Sequence, residues 1–282
     1  MSLAIQTQAK PSAEIQRLLR AQVDIATNAL ATLSREKGVH AARKACKRGR
    51  AILRIARSGL SEARYAELAR AFRDAARWIA PIRDADVMQK TAKLAGVTPP
   101  PRFEEEEGRH RVVACQIMLR ELGEDLDARP VKPSRKDLIQ GFVRGYTKAR
   151  RQLKWIMSDP EAENVHEWRK AVKYHFFHLQ MMEDVYPAVF KGLAASADIL
   201  QETLGDHHDL SVLRPLVVEP QAIHVLLVRE AELAELAIAR GRQQLALSPA
   251  VIDVWLRELW GLRTRAPLAV PRPAPLVLAE EE

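Results

Sequence analysis

The sequence predicts an all-α protein with an internal duplication, and three observations carry that reading. Ala, Leu, Arg and Glu fill long stretches free of Gly and Pro, which favours helix, and no alternating strand pattern of useful length interrupts them. A basic segment occurs twice: Val39-His40-Ala41-Ala42-Arg43-Lys44-Ala45-Cys46-Lys47 returns as Val165-His166-Glu167-Trp168-Arg169-Lys170-Ala171-Val172-Lys173, offset by 126 residues from His40 to His166. A second pair, Ile82–Met88 and His207–Leu213, lies at an offset of 125 and preserves a basic or imidazole residue, an Asp and an aliphatic pair. A period near half the chain is the signature of a repeat.

Taken in order, residues 1–10 lack an apolar core for a signal and are expected to form a flexible N-terminus. The first half is expected to run over 11–128, with helices near 12–36, 39–58, 61–80, 84–95 and 103–127. Ser61 stands where it can cap the third of these. Val97 to Pro101 reads as a proline-rich break inside this half, and Arg129-Pro130-Val131-Lys132-Pro133 as the start of a linker over 129–134, since Pro removes a helix donor and restricts its predecessor. The second half is expected over 135–264, opened by a Ser134 cap. Its helices fall near 135–157, 162–186, 190–204, 208–217, 222–247 and 249–263, with a turn carrying Asp206, His207, His208 and Asp209. Four prolines and an acidic end make 265–282 a candidate disordered tail.

The first copy of the repeat is amphipathic in a particular sense. His40, Arg43, Lys47, Arg50, Arg54 and Arg57 step by three and four, so at about 100° per residue they share roughly 100° of arc. Ala42, Ala45, Cys46, Ile52, Leu53 and Ala56 fall on the opposite side, available for burial. The second copy keeps His166, Arg169 and Lys173 but continues into Phe176 and Phe177. A third stripe, Arg144, Lys148, Arg151 and Lys154, is backed by Phe142, Tyr146, Leu153 and Ile156.

Composition narrows the function classes. The 282 residues carry a net charge of +8, with acidic runs at Glu104–Glu107 and Glu280–Glu282 set apart from the basic helices, so the local positive surface exceeds the total. Cys46 and Cys115 provide neither a disulfide framework nor zinc spacing, and no apolar run approaches membrane length; a reducing cytoplasm is the expected compartment.

With His-x-x-Arg-Lys-x-x-Lys at His40, Arg43, Lys44 and Lys47 and again at His166, Arg169, Lys170 and Lys173, the chain resembles the CHAD family. Arg83-Asp84-Ala85-Asp86-Val87 and Leu204-Gly205-Asp206-His207-His208-Asp209 are similar to the family's segments at corresponding places. The resemblance implies two pseudo-symmetric antiparallel helical bundles, roughly four long helices each, around a basic central groove or pore that binds inorganic polyphosphate. It further implies association with polyphosphate granules and their proteins. Members are often fused to a CYTH domain, whose Glu-x-Glu-x-Lys signature is absent here. A stand-alone, non-catalytic binding module without cofactor follows.

The residues agree with that implication. Polyphosphate offers dense charge and no bases, so its reader needs many cations at helical spacing and little aromatic surface. Arg43 and Arg169 are the candidates for forked contacts, and Lys44, Lys47, Lys170 and Lys173 for mobile point charges. Arg50, Arg54, Arg144, Lys148 and Arg151 extend the site, and His40, His166 and His207 add imidazoles near it. His175 and His178 point away and read as packing or surface residues. His207 and His208 with Asp206 and Asp209 do not make up the three or four converging ligands of a metal site, so no metal is expected. Two alternatives stay open: a nucleic-acid or general polyanion binder, and a metal-dependent phosphohydrolase using Asp84 with Asp86 or Asp206 with Asp209.

Overall fold

Helices carry the whole architecture of the computed structural model, which describes residues 2–94, 101, 103–159 and 161–261, and no strand occurs among them. The helices are α1 (Pro11–Thr32), α2 (Arg35–Ala56), α3 (Glu62–Trp78), α4 (Ala80–Leu94), α5 (Glu105–Ala128), α6 (Arg135–Ile156), α7 (Ala162–Met181), α8 (Pro187–Leu213), α9 (Pro220–Gln244) and α10 (Pro249–Leu259). Short 3₁₀ turns follow α2 at Arg57–Gly59 and α8 at Arg214–Leu216. The expected break at Val97–Pro101 and the tail at 265–282 lie essentially outside the described residues.

Capping explains where several helices begin. Ser61 accepts from the Arg64 amide at 3.2 Å. Ser134 and Asp137 form a reciprocal capping box, the Ser134 side chain accepting from the Asp137 amide and the Asp137 carboxylate accepting from the Ser134 amide. Two orphan donors at the start of α6 are thereby satisfied, which stabilises that end by about 1 kcal/mol.

α2 is the central helix. It packs on α1, α3 and α4 and, across the middle of the molecule, on α6 and α7, while α7 and α9 flank α8 and α10 covers α6. Its apolar side, Ala42, Ala45, Cys46, Ile52, Leu53 and Ala56, is buried as the periodicity requires. The same holds for Phe142, Tyr146, Leu153 and Ile156 of α6. Trp168, Phe72, Phe142 and Phe190 are the largest fully buried side chains, each contributing about 1.5–3 kcal/mol of transfer free energy. α6 crosses α2 at Gly141, where a Cβ would stand 1.8 Å from the Ile55 carbonyl oxygen; only a glycine permits that approach.

Three expectations are corrected. Residues 204–209 form no turn: α8 runs unbroken through Leu204-Gly205-Asp206-His207-His208-Asp209, because no proline lies in that segment and Gly205 is simply an open helical position. The helix expected from residue 84 begins earlier, at Ala80, so Arg83 and Asp84 both lie inside α4. Residues 2–10 are not a free end. Leu3 and Ile5 are buried, the Ile5 amide donates to the Met181 carbonyl at 3.0 Å, and Arg17 donates to Ala4 O at 3.3 Å.

Candidate functional site

The repeat segments of α2 and α7 meet over a cavity of about 590 Å³. α2 presents His40, Arg43, Lys44, Lys47 and Arg48 to it, and α4 adds Arg83 beside Asp84. α7 contributes Lys173, Phe176, Phe177 and Gln180, and α8 closes one side with Asp198, Gln201 and Glu202. The phenylalanines that break the stripe in the second copy thus form part of the cavity wall.

Electrostatics marks this cavity as short of negative charge. Burial, then Lys173, Arg43, Arg169 and Arg50, pushes the Lys47 ammonium down to about 8. Burial and then Arg169 and Lys44 lower Lys173, against a partial offset from Asp198. His40 is lowered by burial, then by Arg83, Lys44, Lys47 and Lys173. Cations that depress one another are the mark of a field awaiting an anion.

Arg43 is partly committed, donating to Ala76 O at 3.1 Å and lying 3.9 Å from the Asp84 carboxylate. Arg169 does not line this cavity, but its charge lowers Lys47 and Lys173 there and also the pair His166 and His208, whose Nδ1 atoms are 3.2 Å apart. Lys170 is paired with Glu167. Sequence reasoning did not select Arg48, Arg83, Gln180 or His208 as site residues. Arg48 Nε and Gln180 Oε1 are buried polar atoms without a protein partner, and both residues line the cavity. The duplicated Arg-Asp segment was a usable signal for Arg83; the helical stripe offered none for Arg48, which flanks it.

Of the remaining predicted cations, Arg50 lines none of these depressions and the others fall in two further ones. Arg54, Arg144 and Lys148 line a pocket of about 190 Å³ between α2, α6 and α7, with Arg57 and Tyr174. Arg144, Lys148 and Arg151 also line a shallower one of about 470 Å³ with Asp253. His207 is not brought to any of these. One position along α8 from His208, it turns into the interior, where burial lowers its pKa against the Glu230 carboxylate. Arg214 of the adjoining turn bonds that same Glu230 at 3.1 Å. A helical step of about 100° separates the two imidazoles, which the expected turn concealed.

Asp84 faces Arg43, and Asp206 and Asp209 are exposed. Among the described residues no group of three His, Cys, Asp or Glu side chains converges closely enough to hold a metal ion. Nor is any described helix long and apolar enough to cross a membrane.

No curated protein matches the chain. The profile of the CHAD domain matches residues 16–218, from α1 through the last residues before α9, and so takes in both repeat segments, α4 and α8. Spanning most of the chain and both basic helices at once, that match establishes that this protein belongs to the CHAD family.

Proposed function

We propose that the protein binds inorganic polyphosphate as a polymer, without cleaving it, and acts at polyphosphate granules in the cytoplasm. CHAD domains are associated with polyphosphate binding and metabolism, and this chain's own chemistry suits that ligand. The observation that carries the reading is the convergence of Arg43, Lys44, Lys47, Arg48, Arg83 and Lys173 on one cavity between α2, α4 and α7, where burial and then the neighbouring cations push the Lys47 ammonium down to about 8. A polyanion entering there relieves repulsion among several groups at once, and gains charge-assisted hydrogen bonds from Arg43, Arg48, Lys173 and Arg83. Arg54, Arg144, Lys148 and Arg151 extend the positive surface beyond the cavity, as a long chain requires.

Calorimetric titration of size-fractionated polyphosphate at two salt concentrations tests this, beside single-stranded DNA of matched charge and with phosphate release followed. Tight, length-dependent and salt-sensitive binding to polyphosphate over DNA, without release, is the expected outcome. Equal affinity for both polymers overturns the specificity, and steady phosphate release overturns the non-catalytic role.

A further inference from the structure

The pocket between α2, α6 and α7 shares no lining residue with the His40–Lys173 cavity. Four of its lining residues, Arg54, Arg57, Arg144 and Lys148, are cationic and none is a carboxylate. Arg57 is bridged to Glu62 at 2.8 Å and Arg144 donates to Ser58 at 2.8 Å, while the Arg54 guanidinium lies 4.2 Å above the Tyr174 ring. At about 190 Å³ the space suits a small anion rather than a folded length of polymer.

Its remaining wall holds an unusual group. His178 is 1% exposed, and its Nε2 lies 3.1 Å from the Ala51 carbonyl oxygen. A carbonyl only accepts, so Nε2 carries the proton and Nδ1 is a bare lone pair. That lone pair is buried and has no partner. Gly145 of α6 passes it without a side chain, and a Cβ there would stand 2.7 Å from Nδ1. Burial and Arg54 hold the imidazole down to about 4, against the opposing bond to Ala51, so near neutrality it remains an acceptor even beside the cations. A fully deprotonated anion satisfies the Arg and Lys groups and leaves Nδ1 orphaned. An oxyanion that keeps one O–H satisfies both kinds of group.

We infer that this pocket binds a protonated oxyanion of the phosphate class, its P–OH donating to His178 Nδ1 while Arg54, Arg144 and Lys148 hold the charged oxygens. Hydrogen phosphate and the terminal phosphate of a linear polyphosphate both carry that proton near neutral pH; sulfate and the internal phosphates of a chain do not. The pocket lies on the positive surface that extends from the larger cavity, but the inference does not depend on a polymer occupying that cavity.

The test titrates the full chain with inorganic phosphate and with sulfate in chloride buffer at neutral pH, and follows the His178 ring in histidine-labelled ¹⁵N spectra. Phosphate is expected to bind about tenfold more tightly than sulfate and to move the Nδ1 resonance, as one satisfied buried acceptor implies. Lys148→Ala is expected to weaken phosphate, Gly145→Ala to abolish the preference by covering Nδ1, and Arg229→Ala to change nothing. Lys148→Ala keeps the test open if Gly145→Ala does not fold. Competition by linear tripolyphosphate assigns the pocket to chain ends, and its absence to free phosphate; either supports the site. Equal affinity for sulfate, an unmoved Nδ1 resonance, or equal competition by cyclic trimetaphosphate, which has no terminal P–OH, overturns it. Polymer binding is scored separately through Lys47→Ala, so either reading can fall alone.

Discussion

His166 on α7 and His208 on α8 face each other with Nδ1 atoms 3.2 Å apart and ring centroids 4.6 Å apart. One nitrogen must donate and the other accept, so the pair is stable only with at least one ring neutral. Burial first, then Lys170 and Arg169 for His166 and Arg169 and His166 for His208, lowers both pKa values and favours that state. The contact ties α7 to α8 beside the basic cavity.

The first prediction concerns that contact. His166→Ala and His208→Ala should show a coupling of about 0.5–1.5 kcal/mol in a double-mutant cycle read by urea unfolding. His166→Ala with His207→Ala should be additive, since His207 faces Glu230 instead.

Polyphosphate affinity should fall as Lys47 loses its proton. An ordinary lysine stays charged well above pH 9, but one held near 8 does not, and bound polyanion restores its proton. Titrations are expected to show affinity falling by about tenfold between pH 7 and pH 9, with proton uptake on binding near pH 8. A flat profile over that range contradicts the assignment of Lys47 to the site.

Arg43→Ala combined with Arg169→Ala should weaken polyphosphate binding at least about tenfold and flatten its salt dependence, each phosphate contact being worth about one unit of slope. Arg229→Ala with Arg242→Ala on α9 should leave both nearly unchanged. Equal losses from the two pairs would sink a localised site.

Acid should destabilise the fold through His175 and His178. Both take up protons near 6.5 when unfolded, whereas burial holds them neutral down to about 3 and about 4 in the folded protein. The unfolded chain therefore binds more protons in this window, and stability is lost as pH falls below about 6.5, by about 1.4 kcal/mol per pH unit for each ring. His175 packs edge-on against Phe142 and Tyr146 with Nδ1 unpartnered. His175→Leu should thus shrink the stability lost between pH 7.5 and pH 5 by about 2 kcal/mol, as measured by denaturant unfolding at the two pH values.

Two glycines should respond in opposite directions. Gly141→Ala drives a methyl into the Ile55 carbonyl and should cost more than about 3 kcal/mol or prevent folding. Gly205→Ala meets nothing within 4 Å in the middle of α8 and should stabilise by about 0.5–1 kcal/mol, read as a higher Tm.

Much of this was legible beforehand. Helical periodicity separated the cations of α2 from its buried face, because a 3.6-residue repeat with one apolar side leaves little freedom in how a helix seats. The repeat singled out His40 on α2 and Lys173 on α7 as separate members of two basic stripes, and the fold brings both to one cavity. What the sequence could not convey was which side of a helix meets which neighbour. Sequence reasoning took His207 rather than His208 for the site, whereas the unbroken α8 turns His207 into the interior and His208 towards His166. His175 and His178, read as packing or surface residues, are both buried, and the orphan nitrogen of His178 lies against Gly145, a residue of another helix. Leu3 and Ile5 were missed because a short apolar pair has no period to betray its burial.

The bond from Ile5 to Met181 joins positions 176 residues apart, and it bears on the order of folding. The segment before α1 can be seated only once α7 exists, so α1 and α2 must first associate with that flank uncovered. Closure of so long a loop adds little to overall stability but delays the final step. A chain arrested before α7 would lack the carbonyl that the Ile5 amide uses in the folded protein.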